Sequence, residues 1–188
     1  MNFPSLQRHR FIILSVLVLI FGGAWIFASA IPAAQRTQGN IPAPQTGFLA
    51  PDFTLANAAG EMVTLSDLRG QAVIINLWAS WCGPCRTEMP AIQQVYDEFR
   101  EEGFTVLAVN ATSQDSQTAA LRFAEEYDLT FPILFDVDGS VIRDYQVRAF
   151  PSTFFVGRDG VIQEVVIGGP MAEALLTTRA QNLLEETP

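Results

Sequence analysis

The chain has 188 residues, 49% of them apolar, and a formal net charge of −9, which suits one packed domain with an appendage. All eleven basic residues are arginine, and beyond position 47 eight of them face all twenty acids, so that part carries −12. Such a balance excludes nucleic acid and an anionic membrane surface as partners of the domain. Residues 1–10 form a short tail with Arg8 and Arg10, and residues 11–30 form an apolar run without a charge. At 1.5 Å per residue a 20-residue helix spans about 30 Å, one bilayer core. Trp25 lies near its far end, and the two arginines precede it. We therefore expect one transmembrane helix with a cytoplasmic N-terminus and the rest of the chain outside. Ala28-Ser29-Ala30 resembles a signal-peptide cleavage site, but the run exceeds the roughly 7–15 residues of a signal h-region, so a retained anchor is favoured. Residues 31–47 contain Pro32, Pro42 and Pro44 and read as an extended tether, which places the domain at 48–188.

Ala50 to Leu55 and Met62 to Leu65 flank Asn57-Ala58-Ala59-Gly60 and predict a β-hairpin. Ala72 to Ala79 reads as a buried strand, and it runs into Trp81-Cys82-Gly83-Pro84-Cys85, which holds both cysteines. A Cys-x-x-Cys at a strand-to-helix junction is a dithiol redox signal. If Cys82 opens the helix, Cys85 lies one turn on, on the same face, about 5–6 Å away and within disulfide reach. The positive end of the helix favours a thiolate. Cys82 is then the exposed, attacking thiol and Cys85 the more buried resolving thiol. Gly83 admits a partner chain, and Pro84 gives up an N–H that has no helical acceptor. A zinc site needs about four ligands, and the only histidine is His9 in the tail, so no metal is expected. A four-residue loop restricts the unfolded chain too little to serve as a structural staple. Glu88 falls three residues after Cys85, on the dithiol face.

The helix is expected from about Cys82 to Glu102, with Ile92, Val95, Tyr96 and Phe99 as its apolar stripe, Pro90 inside it and Gly103 as its stop. Phe104 to Val109 is a second buried strand. A helix between about Asp115 and Asp128, with Leu121, Phe123, Ala124 and Tyr127 apolar, leads to a strand at Ile133 to Phe135. Val141 to Tyr145 predicts a short helix. Thr153 to Val156 and Val161 to Ile167 flank Asp159-Gly160 and predict an antiparallel hairpin. Met171 to Glu186 predicts a closing helix with Ala174, Leu175, Ala180, Leu183 and Leu184 as apolar positions.

Trp81 to Cys85 resembles the thioredoxin-superfamily active site, and the longer Trp-Cys-x-x-Cys-x-x-Glu-x-Pro string, Trp81 to Pro90, resembles membrane-anchored TlpA/ResA-like thiol-disulfide oxidoreductases. The likeness runs from about Ala50 to the C-terminus. It implies an α/β thioredoxin-like sandwich with an N-terminal β-hairpin, a Ser-Asp-Leu-x-Gly step at Ser66 to Gly70 and a helix inserted in the central crossover. It implies that Pro151 is a cis-proline facing the dithiol, that an incoming substrate strand pairs there, and that Phe150 borders Cys82. Trp81, Gly83 and Pro84 shape the same docking surface. The resemblance also implies that the acid at position 88 tunes the thiols, where it could accept or deliver a proton, and a solvated helix carboxylate is the alternative reading of Glu88. Asn76 stands where thioredoxin keeps a buried aspartate, so the usual base is missing from that place.

The resemblance implies a reductase of disulfides in exported proteins, apocytochrome c among them, without a cofactor and with electrons from a membrane thiol-reducing carrier. Ala149 and Ser152 replace the Gly and Glu that cytochrome-maturation members often carry, so a broader reductase stands equally. A peroxiredoxin-like peroxidase is the second reading, although Ile75 and Ala79 occupy its Pro and Thr positions. A copper(I) carrier using the two thiolates is the third, although the domain has no histidine.

Overall fold

In the computed structural model, residues 14–22, 25 and 41–185 are described, and the chain divides into two compact units, Met1–Thr37 and Gln38–Pro188. Residues 14–22 are helical and exposed. Among the described residues no helix is long and apolar enough to cross a membrane, and the span expected at 11–30 lies partly outside them. Residues 31–40 of the expected tether also lie outside them.

The second unit is built on β3 (Ala72–Trp78), all seven of whose residues are buried. A strand buried on both faces reads as a near-continuous apolar run, which is why it was legible. It is the middle of a five-stranded sheet. β4 (Phe104–Asn110) pairs parallel with it and β5 (Ile133–Phe135) parallel with β4, while β6 (Ser152–Val156) and β7 (Ile162–Ile167) continue antiparallel. A parallel pair needs a covering crossover. Between β3 and β4 it is α1 (Gly83–Phe99), and between β4 and β5 it is α2 (Gln117–Glu126). β1 (Thr54–Ala56) and β2 (Met62–Thr64) form a separate antiparallel hairpin.

The alternation of β3 divides the core. Ala72, Ile74 and Trp78 face α1, α2 and the closing helix α4 (Glu173–Glu185). Val73, Ile75 and Leu77 face Phe53, Leu65 and the short helix α3 (Ser140–Asp144). This is a thioredoxin-like sandwich. Asn76 belongs by parity to the α1 side, so a polar group is carried into the layer beneath the active-site helix.

Several expected positions shift. Residues 41–47, read as tether, are tied to the sheet edge: Ala43 N–H donates to Leu49 O at 3.0 Å and Gly47 N–H to Ile162 O at 2.8 Å. The edge of β7 supplies free carbonyls, which a proline-containing segment can still use at its non-proline residues. Leu121 is 41% exposed, and Ala120 with Phe123 makes the inner face of α2. In α4, Leu176, Ala180 and Leu183 are buried whereas Ala174 and Leu175 face outward. Leu176 takes the core place because the helix begins at Glu173, after Met171 has already been buried.

Candidate active site

Cys82 is the N-cap of α1, and its Sγ accepts a hydrogen bond from Cys85 N–H at 3.2 Å. Pro84 stands in the first turn, where a missing N–H costs nothing. The two cysteines are joined in a disulfide with a Cα–Cα separation of 5.3 Å, the span expected of i, i+3 residues. The structure is therefore that of the oxidised protein. Cys82 is not the exposed thiol the sequence suggests. It is 4% exposed and Cys85 1%. The bonded sulfurs are turned in against each other, and Trp81 and Phe150 stand beside them in an edge-to-face pair with centroids 5.7 Å apart. Access runs through a cleft of about 430 Å³ lined by Trp81, Cys82, Gly83, Pro84, Arg148 and Phe150.

The Phe150–Pro151 peptide bond is cis, and Pro151 leads into β6, the antiparallel neighbour of β3. Pro151 is buried behind the cleft wall, with its carbonyl accepting from Gly168 N–H at 2.8 Å. Gly169 sits against it. A Cβ there would lie 2.8 Å from Pro151 Cγ and 2.7 Å from Glu88 Oε2, so only glycine lets these two groups stand together.

Glu88 is 1% exposed. Oε1 accepts from Asn76 Nδ2 at 3.0 Å and Oε2 from Met171 N–H at 2.9 Å. Burial raises its pKa above the ordinary carboxylate value, and the hydrogen bonds from Met171 and Asn76 offset that only in part. Asn76 Nδ2 also donates to Thr153 Oγ1 at 2.9 Å, while Asn76 Oδ1 is buried without a partner. The sequence marks Asn76 as an absent base. The structure makes it a hydrogen-bond support of the buried acid Glu88 on the neighbouring helix.

Asp115 is a positioning residue that the sequence reading missed. Its carboxylate accepts from Ser80 N–H at 2.6 Å, Ser80 Oγ at 2.7 Å, Asn110 Nδ2 at 2.9 Å and Ser116 N–H at 2.9 Å. Trp81 Nε1 donates to Gln114 O at 3.1 Å. The loop after β4 thus clamps the two residues that lead into Cys82. The available signal was the Asp-Ser pair ahead of a helical pattern, a capping composition. Burial pushes the Asp115 carboxyl up, but these hydrogen bonds outweigh it and hold the pKa below the usual value. The sign follows: the clamp contributes stability above the unfolded carboxylate pKa and loses it as pH falls through the depressed folded value. Asp115→Asn is expected to cost about 1–3 kcal/mol at neutral pH, read as a lower melting temperature. The two melting curves converge in acid.

Among the described residues no cluster of His, Cys, Asp and Glu could hold a metal. What remains is a vicinal cysteine pair at a helix N-terminus, a cleft leading to it, a cis-proline loop on its wall and a buried acid behind. On a thioredoxin-like sheet, that arrangement defines a thiol-disulfide oxidoreductase, an enzyme acting on disulfide-containing proteins. The chain matches the AhpC/TSA family over residues 46–165. Thiol-disulfide oxidoreductase ResA of Oceanobacillus iheyensis is 38% identical over 171 residues, covering 89% of this chain and 86% of the relative. Thioredoxin-like protein YneN of Bacillus subtilis is 44% identical over 125 residues, 66% of this chain and 72% of the relative. The crystal structure of StoA from Bacillus subtilis superposes with a TM-score of 0.61 at 29% identity, covering 69% of this chain and 96% of StoA. The chain belongs to the AhpC/TSA family and, within it, to the ResA-type thiol-disulfide oxidoreductases.

Proposed function

We propose that this enzyme is a membrane-tethered reductase of disulfides in exported proteins, with apocytochrome c among its substrates and a membrane thiol-reducing carrier as its electron donor. The observation that carries the reading is the Cys82–Cys85 pair opening onto the cleft beside Phe150 and cis-Pro151. The uncharged run 11–30 after Arg8 and Arg10 supports a single-pass anchor that keeps the N-terminus in the cytoplasm and the domain outside. Tethering raises the effective concentration of the domain near a membrane donor. Residues 1–10, 11–30, a linker from 31 and a catalytic domain then make up the chain.

In the reduced enzyme the Cys82 thiolate attacks one sulfur of a substrate disulfide. The substrate S–S bond breaks, a mixed disulfide forms, and the leaving thiolate takes a proton from water. The Cys85 thiol gives its proton to Glu88 and attacks Cys82 Sγ, which releases the second substrate thiolate. Two electrons pass to the substrate, and the enzyme is left as the disulfide seen here. Trp81, Gly83, Pro84, Phe150 and Pro151 hold the substrate segment, its backbone pairing beside Pro151.

The reduction potential of the pair, measured in glutathione or dithiothreitol buffers, tests the direction. A value near about −270 mV supports a reductant, and one near about −120 mV overturns it in favour of a disulfide donor. Rapid turnover of hydrogen peroxide with a thiol reductant would instead favour a peroxidase. Stoichiometric copper retained after dialysis, without disulfide reduction, would favour a copper(I) carrier.

A further inference from the structure

The cleft beside Cys82 is apolar or neutral except for one side chain, Arg148. Arg148 is exposed and makes no ion pair or hydrogen bond to any described residue. Five of the other seven arginines of the domain are engaged, and the remaining two, Arg69 and Arg122, do not line the cleft. Arg86 pairs with Glu126, Arg100 with Asp97 and Arg179 with Glu164, while Arg143 and Arg158 donate to backbone carbonyls. In a domain with twenty acids and eight arginines, an uncommitted guanidinium at the mouth of the reactive cleft is a local reversal of charge. The backbone N–H groups of Arg148, Ala149 and Phe150 likewise have no acceptor among the described residues. A free guanidinium therefore stands next to a free stretch of backbone, on the wall that also holds Phe150 and leads to Pro151.

We propose that Arg148 selects the substrate: the cleft takes an extended protein segment that carries a carboxylate side chain within two residues of the attacked cysteine, and the guanidinium binds that carboxylate. The planar, permanently charged fork suits a carboxylate, and an extended segment on this wall places alternate side chains on one side. Selection is local. The −12 domain repels acidic proteins at long range, and salt screens that field over about 10 Å, so the acid must lie beside the cysteine and need not dominate the substrate. This deepens the reductase reading and rests on it.

The test uses the full chain in detergent, reduced, with three disulfide peptides identical except for Asp, Asn or Lys two residues from the reactive cysteine. The expected order of kcat/KM is Asp, then Asn, then Lys, with about fivefold between the ends at low salt and less at high salt. Arg148→Gln removes the order, Arg148→Glu reverses it and Arg148→Lys retains it. These are ratios within one variant, so a loss of folded protein cancels. Equal rates for the three peptides in the unsubstituted enzyme, or an order that survives Arg148→Gln, overturns the proposal. The Asn peptide reports the reductase reading separately. If the reduced enzyme leaves it untouched, that reading fails. The charge order is then read in the oxidising direction with the dithiol peptides, where the same two outcomes decide.

Discussion

The Cys85→Ser variant is expected to stop at the mixed disulfide. Incubated with a disulfide-bearing protein, it accumulates an adduct on Cys82 that non-reducing electrophoresis and intact mass resolve, and that dithiothreitol releases. In the unsubstituted enzyme the second sulfur sits one helical turn away, with Cα atoms 5.3 Å apart, so resolution is intramolecular. Well-oriented intramolecular attack is worth effective molarities of roughly 10⁵ M and above, which millimolar external thiol cannot match. Turnover therefore falls by several orders of magnitude while the first step survives. Cys82→Ser loses both steps and forms no adduct. Neither change should unfold the domain, because the four-residue loop contributes little to stability and the Cys85 N–H is a backbone donor that remains. An adduct on Cys85 in the Cys82→Ser protein, with none on Cys82 in the Cys85→Ser protein, would exchange the two roles.

The order of elements was legible because the strands that matter are buried on both faces and announce themselves as apolar runs. The helix N-terminus was legible because Gly83-Pro84 and the cysteine spacing have one sensible geometry. What sequence cannot convey is which side chains meet across the sheet. Asn76 and Glu88 are twelve residues apart, and their 3.0 Å hydrogen bond depends on strand parity and on the seating of α1 over β3. Thr153 and Met171 join the same group from 77 and 83 residues away. Asp115 holds Ser80 across 35 residues through a loop with no periodicity to read. Arg148 was passed over because nothing local separates a free surface arginine from a paired one. The same limit explains Leu121 and Leu175, apolar residues that helical spacing assigns to a core but tertiary placement leaves outside.

Glu88→Gln is the sharper test of the buried acid. Glu88 has a pKa raised by burial, so it stays protonated to higher pH than an ordinary carboxyl, and on the proposed mechanism it accepts the Cys85 proton only as pH rises through that value. The rate of mixed-disulfide resolution in the unsubstituted enzyme therefore rises along an acid limb set by Glu88. Glutamine cannot accept the proton, so the limb disappears and the neutral-pH rate falls by about 10²-fold, the low end for general acid–base catalysis. Stability moves the other way. A carboxyl whose pKa is higher in the fold than in the unfolded chain contributes fully below the unfolded value, and the contribution is lost as pH rises through the folded one. Once ionised, the buried group is a burden that glutamine does not carry. Its oxygen still accepts from Met171 N–H, and its N–H group meets Asn76 Oδ1, now without a partner, once that amide turns over. The variant is thus expected to be slower, no less stable at neutral pH, and flatter in its melting temperature across the acid-to-neutral range. Calorimetry against pH separates this from a packing defect, which lowers the melting temperature at every pH. A variant that keeps the acid limb would mean that the proton leaves Cys85 by another route, and that Glu88 serves only to hold Asn76 and the Gly169 loop in place.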